Sequence, residues 1–169
     1  MESEASTGNE SSTMEQRLRR LEDIEEIKKL KARYCAACDG GWDGRASHDT
    51  EKIVALFAED GVWEGGVYGR REGRDGIREF YRHNPEVPFA FHLLTNPIIE
   101  VDGDQATGNW HLMISMTGAD RKSTLIAGVF DDEYVRTPEG WRIKQSRFAL
   151  AFHTPYQGAW STATAVSGT

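Results

Sequence analysis

The sequence predicts a single α+β domain: a cone-shaped barrel in which a strongly curved antiparallel sheet wraps around about three N-terminal helices. Helical periodicity dominates the first half of the 169-residue chain. The second half contains four long runs rich in β-branched and aromatic residues, separated by short turns of Gly, Asp and Pro. Consecutive runs of this kind pair as an antiparallel meander, and helices followed by such a sheet indicate an α+β fold.

Three helices are expected in the first half. The first spans about residues 15–38 and ends at the glycine pair that follows Asp39. Its buried stripe, spaced by three and four, consists of Ile24, Ile27, Leu30, Tyr34 and Cys38. The second begins near the polar cluster at 47–50, carries Phe57 and ends before Asp60. The third spans about Asp75–His83, with Asp75 as its cap.

Strands account for most of the remaining chain. A short hairpin is predicted from Val62–Glu64 and Val67–Tyr68, around two glycines. The four long runs cover about 92–101, 106–117, 124–136 and 141–152. We expect a disordered tail at 1–13, one domain at 14–160 and a flexible tail at 161–169.

The composition of the chain argues against nucleic-acid-binding and membrane-spanning proteins. A net charge of −7 disfavours binding to nucleic acid. No run of 18 apolar residues is present, so no membrane-spanning helix is expected, and the N-terminus lacks a signal-peptide pattern. A cytoplasmic location is therefore predicted.

Neither a metal nor a cofactor is expected. Cys35 and Cys38 form a C-x-x-C motif near a helix C-terminus, where the helix dipole disfavours a thiolate. A zinc site would need a second pair of ligands, and the sequence has none. The two cysteines are predicted to be packed helix thiols. The glycines form no nucleotide-binding fingerprint.

Asp39 and His92 form a candidate acid–base pair. Asp39 closes the first helix, and His92 opens an apolar strand. A carboxylate that orients an imidazole makes a base able to take a proton from carbon at neutral pH. Considered separately, Asp39 also fits a solvated helix end, and His92 also fits a hydrogen-bonded core histidine.

The chain resembles the SnoaL-like family of the nuclear-transport-factor-two-like superfamily over about residues 15–160. The matching motifs are Ile24-Glu-Glu-Ile27, Tyr34-x4-Asp39, Ile53-x-Ala-Leu-Phe57-x-Glu-Asp-Gly61-Val62-Trp63, His92-x-x-Thr95-Asn96, Trp141-Arg-Ile143 and His153-Thr-Pro155-Tyr-x-Gly158-x-Trp160. The resemblance is strongest to the branch of bile-acid 7α-dehydratase and hexachlorocyclohexane dehydrochlorinase, with scytalone dehydratase more distant.

This resemblance implies specific roles for several residues. It places an Asp–His dyad on Asp39 and His92 at the bottom of the cone, and a dehydratase-type tyrosine on Tyr34. It also implies a basic residue on the last strand, at Ser146 or Arg147. Only Arg147 has the required chemistry, and an offset of one residue reverses the face of the sheet.

Other side chains are candidates for the wall of an apolar cavity. Four aromatic residues are expected to contact the substrate: Trp63, Phe89, Trp110 and Phe130. His111 either lines the cavity or lies on the face opposite Trp110. Asp132 is expected to point inward while its two neighbours point outward. His153 is a candidate for holding the C-terminal segment as a lid.

The function that these residues and the resemblance indicate is a cofactor-free lyase, a dehydratase acting on a hydrophobic polycyclic or steroid-like molecule next to a carbonyl. His92 would take the proton, Asp39 would accept its other N–H, and Tyr34 would protonate a leaving hydroxyl or hydrogen-bond an enolate. The alternatives are an isomerase or cyclase of the same fold, and a non-catalytic small-molecule-binding or subunit-interaction module.

Self-association is also expected. Leu125, Val129 and Phe148 are predicted to form an apolar outer face on the sheet, which favours a homodimer or homotrimer.

Overall fold

The computed structural model describes residues 13–41, 48–83, 87–118 and 120–157. The tails predicted at 1–13 and 161–169 lie outside these ranges, except for Thr13, whose side chain caps the first helix. Within the described ranges, no helix is both long and apolar enough to cross a membrane.

Three helices precede most of a six-stranded sheet. The helices are α1 (Met14–Cys38), α2 (Thr50–Ala55) and α3 (Gly73–His83). The strands are β1 (Phe57–Glu64), β2 (Arg70–Glu72), β3 (Phe89–Asp102), β4 (Gln105–Thr117), β5 (Ser123–Thr137) and β6 (Gly140–Pro155). The four long strands and the α+β class are confirmed.

Three local predictions in the first half are wrong. The second helix ends at Ala55, and Phe57 already belongs to β1. Val67 and Tyr68 belong to a single 3-10 turn (Gly66–Tyr68) instead of a strand, because the positive φ angles of Gly66 and of the following Gly69 curl the chain there. The third helix begins two residues early, so Asp75 lies in its first turn.

The sheet is mixed and open, with strand order β2-β1-β6-β5-β4-β3. Neighbours from β3 to β6 run antiparallel as predicted, but β1 runs parallel to β6. The prediction of a wholly antiparallel sheet is therefore corrected. Register shifts in β3 and at two points along the β5–β6 pair mark bulges, which bend the strands.

Strand register sorts the inner face of the sheet into rows, because directly paired residues project to the same side. The histidine row contains His92, Ile114, Ile126 and His153. The leucine row contains Leu94, Leu112, Gly128 and Leu150. The aromatic row contains Trp110, Phe130 and Phe148, and the polar row contains Gly108, Asp132 and Ser146. The inner face of the sheet thus changes from apolar side chains in the leucine and aromatic rows to polar side chains in the polar row.

A buried ion pair ties α1 to the polar row. Lys31 Nζ lies 2.7 Å from Asp132 Oδ2, donates to Ser146 Oγ at 3.3 Å and sits 3.7 Å from the Phe130 ring centroid. Tyr134 Oη donates to the same Asp132 oxygen at 2.7 Å. Both charged side chains are fully buried, and the inward direction predicted for Asp132 is confirmed.

One bulge in β6 explains two further differences from the predicted faces. Gln145 pairs with Glu133 and Ile143 with Tyr134, so Lys144 has no direct partner on β5. Simple alternation from Ile143 would point Arg147 inward and Phe148 outward. The extra residue reverses this, so Ser146 and Phe148 are buried and Arg147 is exposed. Phe148 therefore does not belong to the outer face.

We expect replacement of Lys31 by Met to lower the free energy of unfolding by about 3–5 kcal/mol, because Asp132 would remain buried without its cation. Urea denaturation measures the change. Lys29→Met is the control on the same helix, since Lys29 is half exposed, and its effect should stay within about 0.5 kcal/mol. Equal effects of the two substitutions would show that the ion pair does not stabilise the fold.

Candidate functional site

The end of α1 places Asp39 at the edge of the interior. The Gly41 amide donates to Ala36 O at 3.0 Å and the Gly40 amide to Ala37 O at 3.4 Å, while Gly40 has a φ of 71°. This is a Schellman cap, which glycine permits because it tolerates the left-handed conformation. The helix therefore stops at Asp39, and its carboxylate is buried.

Asp39 binds His92 through both carboxylate oxygens. Oδ1 lies 2.5 Å from His92 Nδ1, and Oδ2 accepts the His92 backbone N–H at 3.0 Å. The carboxylate therefore favours the tautomer with hydrogen on Nδ1 and fixes the plane of the ring. Nε2 then carries the free lone pair. The structure brings together the two residues that the sequence singled out.

The dyad lies at the open end of the inner face, whereas the resemblance implied the bottom of the cone. The His92 side chain retains 15% of its exposure, whereas that of Asp39 retains 6%. Leu150, in the neighbouring leucine row, is 43% exposed although it projects inward. A molecule entering between β3 and β6 would meet the imidazole before it met the carboxylate.

Tyr34 lies deeper and belongs to a cluster of hydrogen-bonding side chains. Its Oη accepts from Trp63 Nε1 at 3.1 Å and lies 2.9 Å from Tyr81 Oη, with either hydroxyl able to donate. Cys38 Sγ lies 3.9 Å from Tyr81 Oη. This tyrosine cluster (Tyr34, Trp63, Tyr81 and Cys38) joins α1, β1 and α3.

Burial keeps the tyrosine cluster protonated. Desolvation raises the pKa of Tyr34 and of Tyr81 well above their usual values, because the anionic phenolate would lose its hydration. For the same reason the pKa of the Cys38 thiol rises to about 12. These groups are hydrogen-bond donors at neutral pH, and neither cysteine forms a disulfide.

Sequence reasoning missed Tyr81 and Lys31. Tyr81 lies four residues after the buried Ile77 on α3, so the helical repeat could have predicted that it is buried. Lys31 follows Leu30 in α1, and a lysine next to the buried stripe of a helix normally has a side chain exposed to solvent. Its burial depends on the inward-facing Asp132 on β5, with Ser146 and Phe130 as further partners, and these contacts are not visible in sequence spacing.

The predicted aromatic wall is mostly internal. Trp110 and Phe130 are buried in the aromatic row, where Trp110 Nε1 donates to Tyr134 Oη at 3.1 Å. Trp63 is buried and stacks on Phe80 with ring centroids 4.6 Å apart. Phe89 is only half buried, at the start of β3 next to the inward-facing Ala90.

Arg147 and His111 are not brought to the dyad. Arg147 is exposed beside Glu64, with Nε 3.6 Å from the Glu64 Oε2 atom. His111 is also exposed, and its Nδ1 lies 3.1 Å from Asn96 Nδ2. Both lie on the outer face, His111 by ordinary alternation with Trp110 and Leu112, and Arg147 because of the β6 bulge.

Comparisons with known proteins agree with the fold described above. A family model described as a SnoaL-like domain matches residues 19–147. The uncharacterized protein Rv2910c of Mycobacterium tuberculosis is 32% identical over 127 residues, covering 73% of this chain and 82% of that protein. Hexachlorocyclohexane dehydrochlorinase LinA-type3 from Novosphingobium barchaimii has a TM-score of 0.74 at 21% identity, over 85% of this chain and 96% of the other.

An NTF2-like protein with a cystatin-like fold from Novosphingobium aromaticivorans has a TM-score of 0.64 at 27% identity, over 83% of this chain and 92% of the other. The similarity to these solved structures supports the cone-shaped fold. Because the family model matches most of the sequence, this chain belongs to the SnoaL-like domain family.

Proposed function

We propose that this protein is a cofactor-free lyase that eliminates water from a hydrophobic, polycyclic or steroid-like substrate at a carbon next to a carbonyl. The observation that carries the proposal is the two-point contact between Asp39 and His92, with distances of 2.5 and 3.0 Å. The contact supports the proposal because it leaves Nε2 as the imidazole nitrogen with the free lone pair. The fold is shared with a dehydrochlorinase, an enzyme whose name denotes elimination.

In this mechanism His92 Nε2 removes the proton α to the carbonyl. Asp39 stabilises the imidazolium that forms, because its carboxylate already accepts the Nδ1 hydrogen. Ile114, which pairs with His92, is a buried core residue, and it limits hydration of the charge pair, which strengthens this interaction.

Tyr34 is assigned to the carbonyl oxygen of the substrate. If Trp63 Nε1 and Tyr81 Oη both donate to Tyr34 Oη, the Tyr34 hydrogen is free to bind the developing enolate. The raised pKa of Tyr34 suits a group that donates a hydrogen bond without ionising.

Asp39→Asn should reduce elimination by about 10²–10⁴-fold, because the amide neither stabilises the imidazolium nor enforces the Nδ1–H tautomer. We would use 4-hydroxy-4-(2-naphthyl)butan-2-one as the probe and follow the absorbance of the conjugated enone. Asp131→Asn, on the outer face of β5, is the matched carboxylate control and should retain activity.

Circular dichroism of the Asp39→Asn variant separates chemistry from folding. A folded variant with unchanged turnover would remove the dyad from the mechanism. A folded wild-type protein that binds the probe and never converts it would favour the non-catalytic binding module instead.

Tyr34→Phe should lower turnover of the same probe by about 10²–10³-fold, since a donor to the developing oxyanion is lost. Tyr134→Phe is the control, because Tyr134 is equally buried but bonds to Asp132 and Trp110 instead. If both tyrosine variants lose activity in proportion to their loss of stability, Tyr34 has a packing role only.

A further inference from the structure

The inner face carries a second histidine level with His92. His153 pairs with Ile126, Ile126 with Ile114, and Ile114 with His92, so all four share the histidine row. Ile114 and Ile126 are buried, which fixes this row as the inner one. The two imidazoles therefore project from opposite ends of a single row, on β3 and β6.

The other histidines are engaged elsewhere. His48 Nε2 lies 2.7 Å from Tyr81 O, and His83 Nδ1 lies 2.9 Å from Glu79 O. His111 is exposed on the outer face. Of the five histidines in the chain, His92 and His153 are the two that register places on the inner face.

The geometry of the row suits a pair of groups acting on one molecule. Three strand spacings of about 4.8 Å separate the two backbones by about 14 Å along the sheet. Side chains on the inside of a curved sheet converge, which shortens the distance between the rings. The end of β6 is held by the Tyr156 amide, which donates to Ser123 O at 2.8 Å. His153 is exposed, as is Leu150 in the neighbouring leucine row.

We infer that His153 is the general acid that protonates the leaving group, and that the leaving group is consequently a hydroxyl and not a halide. This inference rests on the proposed elimination by the dyad. Tyr34, bonded within the tyrosine cluster, is left to bind the carbonyl. A hydroxyl departs readily only when it receives a proton, whereas chloride departs as a stable anion.

The step balances without any other reactant. His92 Nε2 takes the α-proton, and that C–H electron pair forms the new carbon–carbon double bond. The bond from the β-carbon to oxygen breaks, and the oxygen takes a proton from the His153 imidazolium to leave as water. His92 ends protonated and His153 neutral, and exchange with solvent restores both.

Two probes with one product test this role. 4-Hydroxy-4-(2-naphthyl)butan-2-one needs protonation of its leaving group, whereas its 4-acetoxy ester releases acetate without it. Both yield the same enone. His153→Gln should lower turnover of the hydroxy ketone by about 10²-fold or more and leave that of the acetate within about threefold.

The controls separate this inference from the proposed function. His111→Gln, on the outer face, should change neither rate, and Asp39→Asn should lower both. Unchanged turnover of the hydroxy ketone by His153→Gln would overturn the inference while leaving the role of the dyad intact. An equal loss of turnover on both probes would also overturn it. If Asp39→Asn has no effect on either probe, the proposed function itself fails.

Discussion

The buried contact between Lys31 and Asp132 constrains how the helix and the sheet meet. The charged atoms are 2.7 Å apart and inaccessible to solvent, so α1 cannot slide or rotate without exposing an unpaired charge to an apolar interior. Lys31 lies on the same helix as Asp39, about two turns before it. The position of the carboxylate that binds His92 thus depends on a contact made at the far end of the interior.

The side chains on the inner face of the sheet change in polarity from row to row with distance from that contact. The polar row holds the ion pair, the aromatic row is buried, the leucine row is buried only in part, and the histidine row lies at the open end. Tyr34 stands between Lys31 and Asp39 along α1, bonded to Trp63 and Tyr81. The apolar rows therefore lie between the buried ion pair and the dyad.

Much of this architecture follows from local sequence patterns, and the exceptions have physical causes. Helical periodicity and turn chemistry predicted the long elements, and the glycine pair after Asp39 predicted the end of α1. Alternation failed on β6, because the unpaired Lys144 reverses the face of the residues that follow it as far as Leu150, including Arg147 and Phe148, before a second bulge at Ala151 reverses it again. The Lys31–Asp132 pair and the parallel pairing of β1 with β6 were not predictable, since both join segments far apart in sequence.

The parallel pairing of β1 with β6 constrains the order in which the chain assembles. Val62 lies beside Gln145, although about eighty residues separate them. Closing so long a loop costs entropy that only later contacts recover, and such non-local pairings slow folding. During synthesis, β1 remains without this partner until β6 has been made. Until then, the edge of β1 is exposed to pairing with other chains, a period in which chaperones would protect the growing polypeptide.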